Sequence, residues 1–597
     1  MPYSIDEIKK MSIQELNKVS ENLRNDIIDN IMLTGGHLSS NLGVVELTLA
    51  LHYVFNSPHD MFFFDVSHQT YAHKILTGRL DRFFSLRKLH GLSGFASKEE
   101  SVHDVFEAGH SSTSISGALG YLEAKAQYPD RFGEIISIIG DASISNGLAM
   151  EALNYLASKK EQKMIVILND NEMGISKNTG GLAKTFNRIR VRGQFKFIRK
   201  LMPRSIKMMM KSLAYRNNIF SSMGLKYIGV IDGHNLSDLI ECLEYAKKSP
   251  VSVVIHVKTI KGKGLKYAEE DKTGIWHSTP PFDLETGIQM EDKDSYSFGP
   301  AICSYLMDEV KVNPNIRVIT PGMGYGSGID SFQLAFPKNF IDVGIAEENA
   351  IVMASSMADA GLIPVVFVYS TFLQRAYDEL IHDMARNNSH VIVCVDRAGI
   401  VAGDGPTHQG IFDIAYLSTI PNIRILAPHT INECLRMVDY ALHNDGCFVI
   451  RYPKVTYEKG CNELLFNNKW EILKPSHNQK YIISYGPNLN DLLKELNQSE
   501  IGLINACTIK PFDQDLIINL VKNNNKLFFY EEVCQNNSLG MQVLAFLNDE
   551  VRNNTIKEYY LYHKTLPNSY LEVGMVDELK DEYGLNLKKF IQMVEEI

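Results

Sequence analysis

The sequence predicts an α/β protein made of doubly wound parallel sheets. Short apolar runs typical of β-strands recur along the chain, and the stretches between them are long enough for a helical crossover. Strands that alternate with helices in this way form parallel sheets with helices on both faces. Polar residues directly follow several of the runs, as ligand-binding residues do at the carboxyl ends of parallel strands. One pattern therefore predicts both the fold class and the position of the site.

The predicted elements fall into three blocks, which we interpret as domains: residues 1–290, 298–460 and 470–597. The first block opens with a helix that has a capping box at Ser12 and Glu15 and ends near Gly35. The polar stretch 283–297 is expected to be a linker. The predicted strands are 138–140, 164–168 and 253–257 in the first block, 318–320, 365–369, 391–395, 423–426 and 448–450 in the second, and 481–484, 501–505 and 527–530 in the third.

Composition narrows the class of protein. With 45% hydrophobic and 22% charged residues, the 597-residue chain is ordinary for a globular protein of more than one domain. A net charge of −10 gives no reason to expect a nucleic-acid partner. Eight scattered cysteines without a Cys-x-x-Cys pair indicate a reduced cytosol and no zinc site or disulfide framework. Because neither a signal peptide nor a membrane-spanning run is visible, we expect a cytoplasmic protein without membrane contact.

Two strand ends in the first block carry oxygen ligands. Gly140 and Asp141 follow one apolar run, and Asn169-Asp170-Asn171 follows the next. In a parallel sheet Asp141 and either Asn169 or Asn171 meet at the carboxyl ends of neighbouring strands. One carboxylate with one or two amide oxygens suits Mg²⁺, which takes its other ligands from water and a diphosphate. The alternative is two ordinary strand-to-helix turns capped by Asp and Asn.

The first block also contains motifs centred on histidine and lysine. Neutral imidazoles and hydroxyls at loop ends can donate to phosphate oxygens and move protons near neutral pH. A glycine-rich turn after a strand lets the backbone and Lys261 approach an anion. The motifs are Gly36-His37-Leu-Ser-Ser-Asn, Asp65-Val-Ser-His68-Gln, Tyr71-Ala-His73-Lys, Gly109-His110-Ser111-Ser112-Thr-Ser114, Lys258-Thr-Ile-Lys261-Gly-Lys-Gly264 and Trp276-His277. Any one of these histidines taken alone would be interpreted as structural.

Strand ends in the second block carry a different set of groups. An acid, Glu347, follows one apolar strand, and aromatic residues, arginines and an imidazole follow others. Such a combination on one sheet predicts a pocket for a phosphorylated substrate and a heteroaromatic cofactor. The residues concerned are Glu347, Tyr369, Phe372, Arg375, Arg397, Asp404, His408 and Arg451.

Together these motifs resemble those of a known family. The most specific runs are Tyr-Ser-Thr-Phe-Leu-Gln-Arg-Ala-Tyr-Asp from residue 369, Asp-Arg-Ala-Gly-Ile-Val from 396 and Thr-His-Gln-Gly from 407. From the first helix to the last residues, the chain resembles the 1-deoxy-D-xylulose-5-phosphate synthase family of transketolase-like thiamine diphosphate enzymes. The resemblance implies three doubly wound α/β domains of transketolase type, which are diphosphate-binding, pyrimidine-binding and C-terminal. It also implies a homodimer.

The resemblance further implies which residues bind the cofactor thiamine diphosphate and its Mg²⁺. Asp141, Asn171 and the carbonyl of Met173 would be the metal ligands. Glu347 would hydrogen-bond the aminopyrimidine ring, on which Phe372 would stack. The remaining residues expected to contact the cofactor are His68, Gly109, His110, Ser111, Ser112, Gly140, Ala142, Ser143 and Lys261.

The implied reaction condenses pyruvate with glyceraldehyde 3-phosphate and releases CO₂. Arg375 and Arg451 are the candidates for binding the aldehyde's phosphate, because a planar guanidinium matches phosphate oxygens. Arg397, Tyr369 and Asp404 would also contact the acceptor, and His37, His277 and His408 would contact carboxylates and transfer protons, as Glu347 does. Two alternatives are a paralogous carboligase that uses another acceptor and a cofactor-binding homologue of low activity.

Some positions depart from the family pattern. Ser67 precedes His68 where glycine is usual, and Ala142 replaces the second glycine of the usual Gly-Asp-Gly. Asn349 replaces a histidine two residues after Glu347.

A basic segment, 187–216, is interpreted as a solvated insertion, with a membrane-surface or anion-binding helix as the alternative.

Overall fold

The computed structural model describes residues 4–171, 181, 218–271, 273–289, 296–457, 466 and 468–597. The expected metal ligand Met173 and the basic segment 187–216 lie outside the described residues. The chain divides into two compact units, residues 1–291 and 292–597. This division falls inside the stretch 283–297 that the sequence suggests as a linker. The three predicted domain boundaries remain a prediction.

The first unit contains a five-stranded parallel sheet. Its strands are β1 (Met61–Phe64), β2 (Ile135–Gly140), β3 (Ile165–Asp170), β4 (Lys226–Asp232) and β5 (Val253–Lys258), in the order β1-β2-β3-β5-β4. Its described α-helices are Ile5–Ile8, Ile13–Thr34, Leu38–Leu42, Val45–Val54, Tyr71–Lys74, Ser114–Gln127, Gly147–Ser158, Ile219–Ser222, Leu236–Lys247 and Lys266–Glu269. Shorter helical turns are Ile75–Arg79, Leu80–Ser85 and Ser143–Ser145.

Both faces of this sheet are buried. Along β2, Ile136 and Ile138 belong to the apolar core that contains the first long helix. The alternate residues Ile135 and Ile139 belong to a second core on the other face. Burial on both faces makes such strands continuously apolar rather than alternating. The predicted doubly wound parallel architecture is confirmed here.

The predicted first helix is present with its predicted ends. The Ser12 hydroxyl accepts from the backbone N–H of Glu15, and the Glu15 carboxylate accepts from the backbone N–H of Ser12 at 2.7 Å. The helix covers Ile13–Thr34 and ends at Gly35, whose φ of 70° suits a glycine. Both ends were predictable because caps are local in sequence.

The second unit contains a seven-stranded and a five-stranded sheet. The strands are β6 (Tyr296–Ser297), β7 (Ile316–Thr320), β8 (Phe340–Asp342), β9 (Ile363–Tyr369), β10 (Val391–Asp396), β11 (Ile423–Leu426), β12 (Cys447–Arg451), β13 (Thr456–Tyr457), β14 (Glu471–Lys474), β15 (Lys480–Ser484), β16 (Gly502–Asn505), β17 (Thr508–Lys510), β18 (Lys526–Cys534) and β19 (Tyr560–Leu566). The seven-stranded sheet has the order β17-β11-β12-β10-β9-β7-β8, and the five-stranded sheet has the order β14-β16-β15-β18-β19. β6 pairs with β13.

Helices connect these strands. The described α-helices are Phe298–Val312, Asp330–Ala335, Glu347–Asp359, Ser370–Leu373, Tyr377–Glu379, Asp413–Leu417, Ile431–His443, Asn488–Glu495, Gln514–Lys522, Leu539–Arg552, Val576–Glu582 and Leu587–Glu596, with shorter turns at Gln374–Ala376, Leu380–Ala385 and Gly405–Thr407. Among the described residues no helix is both long enough and apolar enough to cross a membrane.

One apolar core joins the two sheets of the second unit. On β10, Val393 and Val395 face this shared core, whereas Ile392 and Cys394 face the core on the opposite side. The shared core also contains residues of β15 and β18. β17, from the third predicted block, pairs antiparallel with β11 of the second. Nothing in the sequence indicated that a strand of the third block would join the sheet of the second.

Candidate active site

Three histidines of the first unit lie together, and we call them the histidine cluster: His37, His68 and His277. Their ring centroids are 5.4 Å apart for His37 and His68, 6.0 Å for His37 and His277, and 5.2 Å for His68 and His277. The ring of Phe95 lies 5.2 Å from that of His37. The structure therefore brings together three predicted site residues from distant parts of the sequence.

Backbone contacts hold the loops that carry the cluster. Asn41 Nδ2 donates to the carbonyl oxygens of His37 at 2.5 Å and His68 at 2.8 Å. Beside His37 and His277, Gly36 and Thr279 exchange two backbone hydrogen bonds of 2.8 and 2.9 Å. These hydrogen bonds fix the backbone that carries the three histidines and do not involve their imidazole rings.

Burial and charge set the protonation of this cluster. Desolvation, the nearby Lys261 cation and the two other histidines hold the pKa of His277 well below its usual value, so its imidazole is neutral at neutral pH. Desolvation lowers the pKa of Lys261 to about 8, and the opposing attraction of Asp271 and Asp141 limits the shift. A buried cation beside the neutral imidazole of His277 is an arrangement that can bind an anion.

A buried carboxylate holds the loop that leads into the helix Ser114–Gln127. Asp65 accepts hydrogen bonds from the backbone N–H groups of Ser112 at 2.8 Å and Ser114 at 3.1 Å. The Ser112 hydroxyl donates to the carbonyl of Ser143 at 2.8 Å. This contact joins the loop with Gly109, His110, Ser111 and Ser112 to the turn with Gly140, Asp141, Ala142 and Ser143.

The two departures from the family's glycines have different structural consequences. Ser67 has a φ of 64°, a conformation that glycine adopts freely and other residues seldom adopt. Its hydroxyl accepts from the backbone N–H of Ala96 at 3.1 Å, a contact that a glycine cannot make. Ala142, with φ −72° and ψ −45°, is in ordinary helical conformation. Only the first of the two positions therefore carries backbone strain.

The predicted metal ligands lie at adjacent strand ends. Gly140 is the register partner of Asn169, and the N–H of Asp141 donates to the Asn169 carbonyl at 3.1 Å. The side-chain oxygen of Asn169 accepts from the Thr259 hydroxyl at 2.7 Å. The choice of Asn171 as the amide ligand stays a prediction.

In the second unit, Glu347 begins the helix Glu347–Asp359 and is buried, with 4% of its surface exposed. Desolvation raises the pKa of Glu347 to about 7, an effect that the Arg375 cation opposes and the neighbouring Glu348 increases. Arg375 Nη1 is 3.7 Å from Glu347 Oε2, and this oxygen has no hydrogen-bond partner among the described residues. Glu347 can therefore exchange a proton near neutral pH.

Aromatic rings and an arginine lie at the end of β9. The rings of Tyr369 and Phe372 stack with centroids 5.5 Å apart and planes 11° apart. The guanidinium of Arg397 lies 3.7 Å above the Tyr369 ring, and the His408 ring meets Phe372 edge-on at 5.7 Å. Five predicted site residues lie at the end of β9 or in the segments that follow β9 and β10: Tyr369, Phe372, Arg397, Asp404 and His408.

Side-chain hydrogen bonds hold these two loops together. The Thr371 hydroxyl donates to the Thr407 carbonyl at 2.8 Å, and the Thr407 hydroxyl lies 2.9 Å from His408 Nδ1. Arg397 Nη1 donates to Asp396 at 2.8 Å and to the Gly326 carbonyl at 3.0 Å. A Cβ atom at Gly326 would lie 2.1 Å from the Tyr369 hydroxyl, so only glycine fits there. The orientation of His408 and Arg397 is thus fixed by their neighbours.

Arg451 has a different environment from the other arginines. Its Nε and Nη2 donate to the two carboxylate oxygens of Asp413 at 2.9 and 3.2 Å, and both side chains are buried. Its guanidinium also lies 5.6 Å from the centre of the Tyr485 ring. This is the arrangement of a structural ion pair, so a phosphate-binding role for Arg451 stays a prediction.

Several residues that shape the site were not among the predicted site residues. Asn41, Asp65 and Thr407 stand within the motifs quoted from the sequence without an assigned role, and Asp413 was not singled out. Each acts through a hydrogen bond to a predicted residue or its loop. Thr407 adjoins His408 and could have been found from its position. Asp413 and Arg451 are far apart in sequence, and no local signal joins them.

Comparisons with known proteins identify the family to which the chain belongs. Residues 295–459 match the transketolase pyrimidine binding domain, and residues 468–589 match the transketolase C-terminal domain. The chain is therefore a transketolase-type α/β protein. Residues 3–259 match the family model described as 1-deoxy-D-xylulose-5-phosphate synthase. The chain belongs to the 1-deoxy-D-xylulose-5-phosphate synthase family.

Individual relatives extend over nearly the whole chain. The 1-deoxy-D-xylulose-5-phosphate synthase of Listeria welshimeri is 40% identical over 97% of this chain and 95% of its own length. That of Halalkalibacterium halodurans is also 40% identical, over 97% of this chain and 95% of its own length. Among solved structures, transketolase from Leishmania mexicana is 14% identical and aligns with a TM-score of 0.44 over 98% of this chain and 97% of that chain.

Proposed function

We propose that this chain is a transferase that condenses pyruvate with glyceraldehyde 3-phosphate, releases CO₂ and forms 1-deoxy-D-xylulose 5-phosphate. Membership of the family over nearly the full length supports the reaction class. The observation that carries the proposal at the level of residues is Glu347, a buried carboxyl whose pKa is raised to about 7. An acid with such a pKa suits proton exchange with a cofactor ring at neutral pH.

The residues in the second unit fit the aminopyrimidine end of thiamine diphosphate. Glu347 Oε2 is buried without a hydrogen-bond partner among the described residues, and a ring N–H or nitrogen would supply one. Phe372 offers an aromatic face for stacking on such a ring. When bound, thiamine diphosphate supplies the carbon nucleophile that attacks the keto group of pyruvate. Glu347 would hold and release the proton that activates it.

The residues in the first unit fit the diphosphate end and its metal. Asp141 and Asn171 supply hard oxygen atoms of the kind that Mg²⁺ prefers, and the carbonyl of Met173 is proposed as the third ligand. His68, Lys261 and the loop 109–112 would contact the diphosphate oxygens. Lys261, with a pKa of about 8, is mainly protonated at neutral pH and would neutralise part of the diphosphate charge.

Several of the predicted site residues are assigned to the substrates. The neutral imidazole of His277 can accept or donate a hydrogen bond without adding charge, and we assign His37, His277 and His408 to carboxylate contacts and proton transfer. Arg375, and Arg451 as the sequence predicts, would bind the phosphate of the aldehyde, and Arg397, Tyr369 and Asp404 would contact the rest of the acceptor.

We also propose that the protein is a cytoplasmic homodimer. The seven cysteines in the described part of the chain are all reduced and buried, which suits a reducing compartment. Sedimentation of the purified protein measures the oligomeric state, and a monomer at assay concentration would contradict the dimer.

Product analysis tests the proposed reaction. The full-length protein is incubated with thiamine diphosphate, Mg²⁺ and pyruvate, together with glyceraldehyde 3-phosphate, plain glyceraldehyde or another short aldehyde. We expect mass spectrometry to find 1-deoxy-D-xylulose 5-phosphate as the main product. A preference for a different aldehyde would identify an acceptor-shifted carboligase, and the absence of any product would leave only cofactor binding.

A further inference from the structure

A buried cluster of three charged or polar side chains lies behind the loop that carries Lys261. The cluster consists of Arg24, Glu46 and His234, whose side chains are 11%, 8% and 13% exposed. Glu46 is its centre. One carboxylate oxygen, Oε1, accepts from Arg24 Nη2 at 2.7 Å, and the other, Oε2, accepts from His234 Nδ1 at 3.0 Å. None of the three side chains is assigned a role in the proposed reaction.

The outer members of the cluster bind the two ends of the Lys261 loop. The backbone N–H of Ile260 donates to His234 Nε2 at 2.8 Å, just before Lys261. Arg24 Nε donates to the carbonyl of Lys263 at 2.8 Å, just after it. Glu46 connects the two ends because both of its partners bind the loop directly.

The hydrogen bonds define the protonation of the cluster. His234 Nε2 accepts from Ile260, so its proton is on Nδ1 and is donated to Glu46. Desolvation disfavours the Glu46 carboxylate, but His234 and Arg24 outweigh it and lower the pKa of Glu46, so the group is ionised at neutral pH. A carboxylate that accepts on both oxygens is matched to two donors, and an amide in its place is not.

Close packing leaves the loop little freedom around these contacts. A Cβ atom at Gly264 would lie 2.3 Å from Arg24 Cδ, so the arginine stem lies directly against the loop backbone. The N–H of Gly262 donates to the carbonyl of Ser39 at 2.8 Å. The loop is therefore held before, beside and after Lys261.

We propose that Glu46 is a positioning residue for Lys261, and that Arg24 and His234 transmit its effect to the two ends of the loop. The inference rests on the proposed function, since it concerns the affinity for the diphosphate end of the cofactor. A lysine presents its charge on a flexible four-carbon stem. Fixing the backbone on both sides of Lys261 reduces the ordering that binding would otherwise require.

Glu46→Gln tests the proposal, because the Gln amide brings a donor to a place where two donors meet. Binding of thiamine diphosphate to the full-length chain with Mg²⁺ is measured by titration calorimetry. We expect Glu46→Gln to weaken binding about tenfold, the lower end of the range for partners that orient a binding group. Circular dichroism checks the fold, and Arg24→Met, which removes the contact with Lys263 and one of the two donors to Glu46, replaces the first variant if that variant does not fold.

A double-mutant cycle with Lys261→Met separates positioning from general destabilisation. If Glu46 acts through Lys261, the double variant should bind no more weakly than Lys261→Met alone. Losses that multiply, or a Glu46→Gln protein that binds like the wild type, would overturn the proposal. A wild-type protein that does not bind thiamine diphosphate at all would instead overturn the proposed function.

The chain offers a matched control in Glu433→Gln. Glu433 is 4% exposed, accepts from His429 Nδ1 at 2.7 Å and from Asn505 Nδ2 at 2.8 Å, and belongs to the second unit. The substitution removes the same charge from the same kind of buried Glu–His pair without touching the Lys261 loop. Cofactor affinity should stay at the wild-type value, and an equal loss in both variants would overturn the proposal.

Discussion

The first unit surrounds the buried Glu46 carboxylate with partners, whereas the second unit leaves the Glu347 carboxyl short of them. Glu46 accepts from Arg24 and His234, which lower its pKa despite burial. Glu347 Oε2 has no hydrogen-bond partner in the described part of the chain and lies 3.7 Å from the nearest arginine nitrogen. A region that binds a fixed anion gains from satisfied, rigid groups, and a group that must exchange protons gains from a destabilised charge.

The largest expected effect concerns the metal ion that the first unit is proposed to bind. Removal of divalent cations by exhaustive chelation should abolish activity, because the diphosphate would bring its negative charge to a protein of net charge −10 without a counterion. Addition of Mg²⁺ should restore it. Asp141→Ala should weaken thiamine diphosphate binding in titration calorimetry. Full activity of the metal-free enzyme would contradict the metal site.

The next largest effect concerns Glu347 itself. Glu347→Gln should lower kcat by about 10²- to 10⁴-fold, the usual contribution of a positioned acid or base. Glu348→Gln is the matched control, because this neighbour is more exposed and lies one position further along the same helix. Steady-state kinetics of both variants decides between them. A crippled Glu348 variant with a mild Glu347 variant would show that the wrong glutamate had been assigned.

The same substitution should stabilise the fold. Because the folded state raises the pKa of Glu347 from 4.5 to about 7, it binds this proton more tightly than the unfolded chain does. The contribution of Glu347 to the free energy of unfolding should therefore fall by up to about 3 kcal/mol as the pH rises from about 4.5 to about 7, at 1.36 kcal/mol per pKa unit. Above that pH this contribution should stay constant.

Urea unfolding at pH 5 and pH 8 measures this contribution. Glu347→Gln should be more stable than the wild type at pH 8 and nearly equal to it at pH 5. A variant that is less stable than the wild type at pH 8 would show that the carboxylate is well solvated or well paired in the folded protein, and the contrast between the two units would disappear.

The smallest effect on catalysis concerns Arg375, one of the two arginines predicted to bind the phosphate of the aldehyde. A charge-assisted hydrogen bond contributes about 1.5–3 kcal/mol. Arg375→Ala should therefore raise the KM for glyceraldehyde 3-phosphate by about one to two decades and leave the KM for pyruvate nearly unchanged. The preference for the phosphorylated over the plain aldehyde should shrink equally. An unchanged preference would exclude a phosphate contact for Arg375.

Arg451→Ala should behave differently if Arg451 is a structural partner of Asp413. Removing one member of a buried pair leaves a buried charge, which costs about 3–5 kcal/mol of stability. Turnover of both aldehydes would then fall together, and the double variant with Asp413→Ala would recover part of the stability. A selective loss of the phosphorylated aldehyde would instead support the phosphate role that the sequence suggested.

Local patterns explain why so much of the fold could be predicted. The predicted strand 423–426 matches β11 exactly in its ends, and the predicted strand 391–395 lacks only the last residue of β10. Apolar runs and helix caps depend only on residues close together in the chain, so a single sequence is enough to recognise them. The position of β17 beside β11 depends on a contact between two blocks that are distant in sequence, so no local pattern predicts it.

The candidate site divides in the same way. The sequence suggested the residues that have unusual chemistry, such as His37, Glu347 and Arg397. Residues that hold these groups in place were given no role, because their partners are distant in sequence. Asn41 binds the carbonyl of His68, Glu46 binds His234, and Asp413 binds Arg451. The roles of the suggested residues stay predictions, and Met173 lies outside the described residues.

The pairing of β17 with β11 limits how the gene for this chain could be shortened. A truncated protein that ends at residue 457 would lose Thr508–Lys510, and the N–H and C=O groups along one side of β11 would be unpaired. Exposed strand edges associate with one another, and the apolar residues that face the shared core would be uncovered at the same time. The pyrimidine-binding part of this chain should therefore aggregate when it is expressed without the C-terminal part, and co-expression of the missing segment should rescue its solubility.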